Sequence, residues 1–565
     1  MEHVYAYFST QKNQLLFISF IWIISATVIN PYGEFPFNDD WAYAQSVQSL
    51  VEKHKFFMSP WTSTNLVVQI IWGTLFCLPF GFSFTALRIS TLAAGLFGLW
   101  GTHRLIYKVT DDSRYAFIGT LLMLANPMYL GLSASFMTDI PFYTLMVWSL
   151  SYMVAGLRED KFLTLLIGIF LAALALLVRQ LGISLFVGFS FAYVARKGMN
   201  WKAISIGAIS IAAGLAIQLL YQRWLDYMMP ELIAYNVQAN NFFSKSFYER
   251  PLVHDFFNNS FVAVMYTGVF MAPYFLLLLT KGSLASLRKN LLQLICLIGI
   301  VIGLWFYFFQ GMLMPIWWNI LNAFGLGPML IRDMFYRMYT LPTPGFLHIA
   351  MGLITIGSIL GSVGVLFFLI KIIRYLSYRP ISALQRSIGI LFLSVTAIYY
   401  LPMSLQGLFD RYLLPIPALL LILIYIARTD TIQTKQAPIL SLPLYLSISL
   451  FFISFVYNIC TTHDYLAWNR VRWQSLNNLL KQGVKLTDID GGFEFNGWHL
   501  YNSSYKVSSD KSFWWVHNDK YVLAASVLPG FTLFQELPVN TWLPYGLQKL
   551  YIGKKIDDSN PQSTQ

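Results

Sequence analysis

Apolar runs of roughly the 20 residues that cross a hydrocarbon core recur along most of this chain, and they leave few folds open to it. Inside a bilayer no water satisfies the backbone, so each run must bond internally as a helix or close into a barrel. The runs exceed the roughly 10 residues of a barrel strand, and helices are therefore expected. About thirteen spans follow, near residues 14–30, 84–103, 116–134, 139–157, 162–178, 182–196, 203–221, 260–279, 290–309, 346–370, 387–403, 411–428 and 439–459. Another apolar piece, Leu66 to Phe82, is interrupted by Gln69, Gly73 and Pro79 and reads as an interfacial or re-entrant element. Composition agrees, with 56% of the 565 residues hydrophobic and 11% charged.

A net charge of +12 would suit nucleic acid, but the basic residues are scattered in short loops and form no stripe, which argues against that class. When the spans alternate, Arg104, Lys108, Arg158, Lys161, Arg196, Lys197, Lys371 and Arg374 fall on one side, as the positive-inside rule requires. The N-terminus is then cytoplasmic and the C-terminus outside, in a multi-pass protein of the inner (plasma) membrane. The first run lacks a small-residue cleavage site and leads into Asn30-Pro31-Tyr32, so it is expected to be a retained helix. Cys77, Cys296 and Cys460 have no metal-ligand spacing and read as buried free thiols.

On this topology the long loops near 31–83, 222–259 and 310–345 lie outside. From Thr461 the composition turns polar and aromatic, with turn signals at Gly491-Gly492, Asn496-Gly497 and Pro529-Gly530. The expected organisation is a transmembrane domain over 1–460 and a small extracytoplasmic α/β domain over 461–565. Tyr465 to Leu480 reads as the first helix of that domain, followed by strand-like stretches.

Carboxylates beside hydrocarbon are costly unless they are solvated, paired or functional, which singles out Asp39, Asp40 and Asp139. Asp39 and Asp40 open an amphipathic stretch, Asn38 to Glu52, that is expected to lie on the outer surface with Tyr43, Val47, Leu50 and Val51 on its apolar side. A structural role is open to them, with Asn38 capping and the acids complementing the helix dipole. Asp139, in Thr138-Asp139-Ile140-Pro141, also scans as a helix start. Together the three acids are candidate oxygen ligands for a divalent metal ion, although their spacing matches no ligand signature. Arg179 and Arg411 fall at outer junctions and offer the planar, permanently charged fork that suits phosphate oxygens. Arg88, just inside the second span, shares that reading. For all three the alternative is interface anchoring, or for Arg411 an ion pair with Asp410. His54, His254, His348 and His463 are further outer-side residues, and Trp61, Trp317, Trp318 and Trp514-Trp515 are rings that suit sugar stacking or interface anchoring.

Five stretches carry a resemblance: Phe37-Asn38-Asp39-Asp40-Trp41-Ala42-Tyr43-Ala44; Ala86-Leu87-Arg88-Ile89-Ser90; Asn126-Pro127 with Thr138-Asp139-Ile140-Pro141; Leu176-Leu177-Val178-Arg179-Gln180; and Asp410-Arg411-Tyr412-Leu413-Leu414-Pro415-Ile416-Pro417. In this order, over about 30–460, they resemble the bacterial dolichyl-phosphate-mannose-protein mannosyltransferase-like glycosyltransferases, which include the aminoarabinose transferases of lipid A and belong to the GT-C fold class. The resemblance implies an all-α polytopic fold of GT-C type with outer-face interfacial helices. It also implies inverting transfer of a sugar from a polyprenyl-phosphate-linked donor. By resemblance Asp39 is the candidate base with Asp40 beside it, Asp139 is a second catalytic acid, and Arg179 and Arg411 lie near the donor phosphate; Arg88, by its position, is a further candidate there or a partner for one of the acids. The chain departs from the family in carrying Asp39-Asp40 where Asp-Glu is common, and Trp61-Thr62-Ser63-Thr64-Asn65 where a Lys-Pro-Pro motif is common.

The expected function is hexosyl or pentosyl transfer from that donor to a cell-envelope acceptor, whether lipid, glycan or protein, at the outer membrane face. The competing classes are a transporter or flippase of lipid-linked sugars and a catalytically inactive membrane scaffold. Transporters place charge near the midplane and carry paired halves, and neither feature is evident here.

Overall fold

The computed structural model describes residues 10–229, 252–278, 290–316, 319–338, 345–378, 381–428, 442–502, 504, 514–516 and 518–556. Trp317 and Trp318 lie outside the described residues, as do the middle of the loop near 222–259 and parts of the C-terminal segment. Seventeen helices suffice to place the site. They are α1 (Gln11–Val28), α2 (Asp40–Lys53), α3 (Val67–Cys77), α4 (Phe84–Thr110), α5 (Ser113–Ala125), α6 (Pro127–Ser133), α7 (Asp139–Glu159), α8 (Phe162–Leu176), α9 (Ile183–Lys197), α10 (Trp201–Met228), α11 (Leu252–Leu277), α12 (Leu291–Phe309), α13 (Gly345–Tyr378), α14 (Ala383–Gln406), α15 (Ile416–Arg428), α16 (Leu442–Lys481) and α17 (Phe493–Leu500).

Every expected span coincides with a helix, and the molecule is an all-α polytopic membrane protein with a small C-terminal sheet. Among the described residues nine helices are long and apolar enough to cross a bilayer, or ten when the bent pair α5 and α6 is taken as one span. That pair bends by 65° at Asn126-Pro127. Pro127 has no N–H to continue α5, and the Asn126 side chain accepts the Met128 N–H to start α6. The helices that fall short have physical reasons. The first turn of α1 is Gln11-Lys12-Asn13-Gln14, which is polar. With 15 residues each, α8 and α9 reach only about 22 Å. Both are cut short at the end where the chain turns inward through Leu177, Val178 and Arg179. Leu66 to Phe82 contributes α3, a short apolar helix of 11 residues.

Close packing depends on small residues where helices touch. A Cβ on Gly361 of α13 would lie 2.1 Å from the Gly268 carbonyl oxygen of α11, so their backbones are in direct contact. The thiols differ from expectation. Cys77 is buried, but Cys296 is exposed on α12 and Cys460 is intermediate, because a membrane helix turns its outer stripe toward lipid.

The C-terminal segment is built onto the helices. Helix α16 runs unbroken for 40 residues, about 60 Å, roughly twice the hydrocarbon thickness. The expected boundary at 460/461 and the expected separate helix from Tyr465 both lie within it. Its second half, from Thr461 to Leu479, is largely buried, packed against α6, the hairpin at 321–326 and the segment that follows. That segment adds α17 and a four-stranded sheet ordered β3-β4-β6-β5, from β3 (Ile489–Asp490), β4 (Tyr521–Ala524), β5 (Phe531–Pro538) and β6 (Lys549–Lys555). Strand β3 is parallel to β4, and β6 is antiparallel to both of its neighbours. Buried charges fasten it: Arg332 pairs with Asp490 at 2.8 Å and Asp519 at 2.7 Å, and Asp333 accepts the backbone N–H groups of Ala525 and Ser526. Helix α2 was expected on the surface, but α3 and α17 pack against it, and Asp40, Trp41, Ala42, Tyr43, Ala44, Ser46, Val47 and Ser49 are buried.

Candidate active site

Four segments far apart in sequence deliver charge to one place at the helix ends beneath the C-terminal segment. Asp39 stands before α2 as its N-cap residue, Asp139 opens α7, and Arg179 and Arg411 come from the breaks before α9 and α15. Arg179 Nη1 meets Asp139 Oδ1 at 2.9 Å. Arg411 lies between two acids, with Nη1 3.7 Å from Asp139 Oδ2 and Nη2 3.6 Å from Asp39 Oδ2. Both guanidinium groups rest on the ring of Tyr412, at 5.2 and 5.3 Å from its centroid.

The surroundings explain how the arginines are held. The chain leaves α8 through Leu177 and Val178 and becomes extended at Arg179, and the Val178 carbonyl accepts the Leu66 N–H and the Thr64 hydroxyl. Asn65 Nδ2 donates to the Leu176 carbonyl. The stretch that stands in place of Lys-Pro-Pro thus brings no ammonium to the site and instead grips the hinge that carries Arg179. Asp410 was considered as a partner for Arg411, but its carboxylate accepts the backbone N–H groups of Ile320, Leu321 and Arg411. It ties the short hairpin of β1 (Leu321–Asn322) and β2 (Gly325–Leu326) to the turn that presents Arg411.

The acids occupy three different situations. The Asp39 side chain is one-quarter exposed, and its Oδ1 accepts the Trp61 Nε1–H at 3.0 Å. Asp139 is buried against the two arginines. Asp40 is turned away, its oxygens accepting the backbone N–H groups of Phe37 at 2.6 Å and Phe136 at 2.8 Å. Burial pushes the Asp40 carboxyl up to about 8, against those amide bonds and the charge of Arg88. Asn38 does not cap α2, since it adopts a left-handed φ of 54°.

Two expectations about the site change with this geometry. Arg88 does not join Arg179 and Arg411: its guanidinium donates to the carbonyls of Ala134, Pro31, Gly33 and Phe35 and lies over the Phe35 ring. Asp39, Asp40 and Asp139 do not form a metal cradle, because one faces backbone amides and another faces two guanidinium groups. Among the described residues no group of three or more His, Cys, Asp or Glu converges for a metal ion. His463 instead stacks on Trp542 at 3.7 Å and contacts Asp464. Trp61 and Tyr412 are the residues whose place in the site sequence reasoning did not assign. Trp61 carried only an aromatic signal, while Tyr412 stood inside a quoted motif beside Arg411.

No family model and no curated protein matches the chain. Among solved structures the chain is similar to ArnT from Cupriavidus metallidurans bound to undecaprenyl phosphate, with 11% identity over 86% of this chain and 84% of that one and a TM-score of 0.37. It is also similar to the archaeal oligosaccharyltransferase AglB from Archaeoglobus fulgidus in complex with an inhibitory peptide and a dolichol-phosphate, with 14% identity over 82% of this chain, 58% of that one, and a TM-score of 0.41. At these identities and scores neither protein's chemistry transfers to this chain.

Proposed function

We propose that this protein transfers a sugar from a polyprenyl-phosphate-linked donor to a cell-envelope acceptor, with inversion at the anomeric carbon, at the outer face of the plasma membrane. The observation that carries the reading is the convergence of one accessible carboxylate, Asp39, with two buried arginines at the ends of membrane helices. Arg411 supports it further: its Nε is buried and makes no hydrogen bond among the described residues, and its ion contacts are long. Buried polar donors are otherwise almost always paired, so an anion is the ligand chemistry this group suits.

In the proposed step Asp39 accepts the proton of an acceptor hydroxyl as that oxygen bonds to the anomeric carbon. The bond from that carbon to the phosphate oxygen breaks, and its electron pair leaves with the polyprenyl phosphate. Arg179 and Arg411 stabilise the charge that develops on the departing phosphate. Asp139 holds the two guanidinium groups together, and Asp40 fixes the backbone on which Asp39 stands. The excess of basic residues in the loops on the opposite side supports an orientation with this site and the C-terminal segment outside.

The test is a mass-spectrometric profile of lipid-linked sugars and envelope glycans in cells expressing wild type or Asp39→Asn at matched membrane levels. Loss of one glycan modification, with accumulation of its polyprenyl-phosphate sugar, is expected. An unchanged profile removes Asp39 as the base. If deleting the gene also leaves the profile unchanged, the transferase reading fails.

A further inference from the structure

Asp39 is poorly fixed by its own helix. It stands at the start of α2 without a side-chain capping bond, and its contact with Arg411 is a long 3.6 Å. Among the described residues the hydrogen bond its carboxylate accepts comes from Trp61 Nε1 at 3.0 Å. Trp61 belongs to the irregular stretch between α2 and α3, so its own backbone gives little orientation.

Its ring is instead enclosed. Trp41 stacks at 6.1 Å, and Phe493, Tyr501, Trp514 and Trp515 surround it at centroid distances of 5.9, 5.9, 6.2 and 5.2 Å. Four of those five rings come from the C-terminal segment. Trp514 and Trp515 hold left-handed φ values of 43° and 64°, a conformation that costs a bulky residue about 1–3 kcal/mol. The segment is fixed in turn. Arg472 and Glu494 form a fully buried pair at 3.0 Å, and Arg472 Nε donates to the Gly491 carbonyl. Burial raises the Glu494 pKa, against the Arg472 charge, and the Asn38 backbone N–H, one residue before Asp39, faces the same carboxylate. Gly497 lies so close to Trp41 that a Cβ would sit 2.5 Å from its ring.

We infer that the C-terminal segment positions Asp39, with Trp61 as the positioning residue and the rings of Phe493, Tyr501, Trp514 and Trp515 as the cage that fixes it. The inference rests on the transfer reading and deepens it: the segment is part of the working site. Packing alone does not require an N–H at this place, and phenylalanine keeps an aromatic ring in the cage while removing the donor. Losing the donor releases the Asp39 carboxylate from the orientation in which it can meet an acceptor hydroxyl.

The experiment uses the full-length chain in membranes that retain the endogenous donor, with the glycan product quantified by mass spectrometry. Trp61→Phe is expected to slow transfer about tenfold, and Trp61→His, which keeps a ring N–H, to recover part of that loss. Trp514→Leu slows transfer by less, and thermal melting in the same membranes fixes the folded amount of each variant. A wild-type rate per folded molecule in Trp61→Phe overturns the inference. Should that variant fail to accumulate, a wild-type rate per folded molecule in Trp514→Leu does the same. Asp39→Asn in parallel separates the two levels: if it transfers normally, Asp39 is not the base and this inference falls with that role. If it is inactive while Trp61→Phe is unaltered, only the positioning role falls.

Discussion

Arg472, under the C-terminal segment, and Arg411, at the break before α15, are both shut away from solvent, yet their guanidinium groups are treated differently. Arg472 donates from every nitrogen, to the Gly491 carbonyl, Asn469 Oδ1 and Glu494 Oε2. Arg88 is equally engaged, with four carbonyls around it. Arg411 has a contact to the Met137 sulfur and two ion contacts beyond 3.5 Å, while its Nε makes no hydrogen bond among the described residues. A fully bonded buried arginine is a construction element, because its geometry is already determined. On the proposed reading, one with an unbonded donor and long ion contacts beside an accessible acid is fitted to an arriving anion. An unbonded donor alone does not separate the two cases, since Arg332, which fastens the C-terminal segment, also has a buried Nε without a hydrogen bond among the described residues; its ion pairs at 2.8 and 2.7 Å, against 3.6 and 3.7 Å at Arg411, make the difference.

Substitution breaks or sharpens that contrast. Arg411→Met should reduce transfer about 10²–10³-fold, as loss of one donor to a developing anion does, with thermal melting near wild type because Asp139 keeps Arg179. A variant that melts early and still transfers per folded molecule would reverse the assignment. Arg472→Met should act on the fold, since it leaves Glu494 buried without its partner and costs about 3–5 kcal/mol. Abundance and melting temperature should drop sharply, and transfer per folded molecule should fall far less than in Arg411→Met. Gly497→Val tests the close approach beneath Trp41 and should cost about 1–3 kcal/mol by overpacking, read as a lower melting midpoint. The smallest effect belongs to Asp40→Asn, which sets an amide against one of two backbone donors at a cost of about 1–2 kcal/mol. Its transfer per folded molecule should stay near wild type, in contrast to Asp39→Asn, and an inactive Asp40→Asn would show that the adjacent acids share the chemistry.

The helices, their order and the charged junctions were readable because hydrophobic length and loop charge are local properties. Arg179 and Arg411 were readable for a related reason, since a charge at the end of an apolar run is conspicuous wherever it occurs. Arg88 is equally conspicuous and was grouped with them, because nothing in its neighbourhood announces that Pro31, Gly33, Phe35 and Ala134 will turn four carbonyls toward it. Asp40 was grouped with Asp39 for the same reason. Adjacent residues on a helix point in different directions, and Phe136, which claims one oxygen of Asp40, is 96 residues away. The unbroken length of α16 was missed because its second half turns polar and aromatic, which in sequence looks like the start of a separate unit. In the structure the C-terminal segment covers that half.

The sequence by itself determined that the chain crosses a membrane repeatedly, where its helices run, and which charges stand at their ends. Those facts follow from the cost of placing polar groups in hydrocarbon, which acts residue by residue. Tertiary structure alone decided which charges meet, which are already bonded, and that Trp61 and the C-terminal rings close over Asp39. Hydrogen bonds and ring contacts depend on positions within a few ångströms, set by packing between segments up to several hundred residues apart.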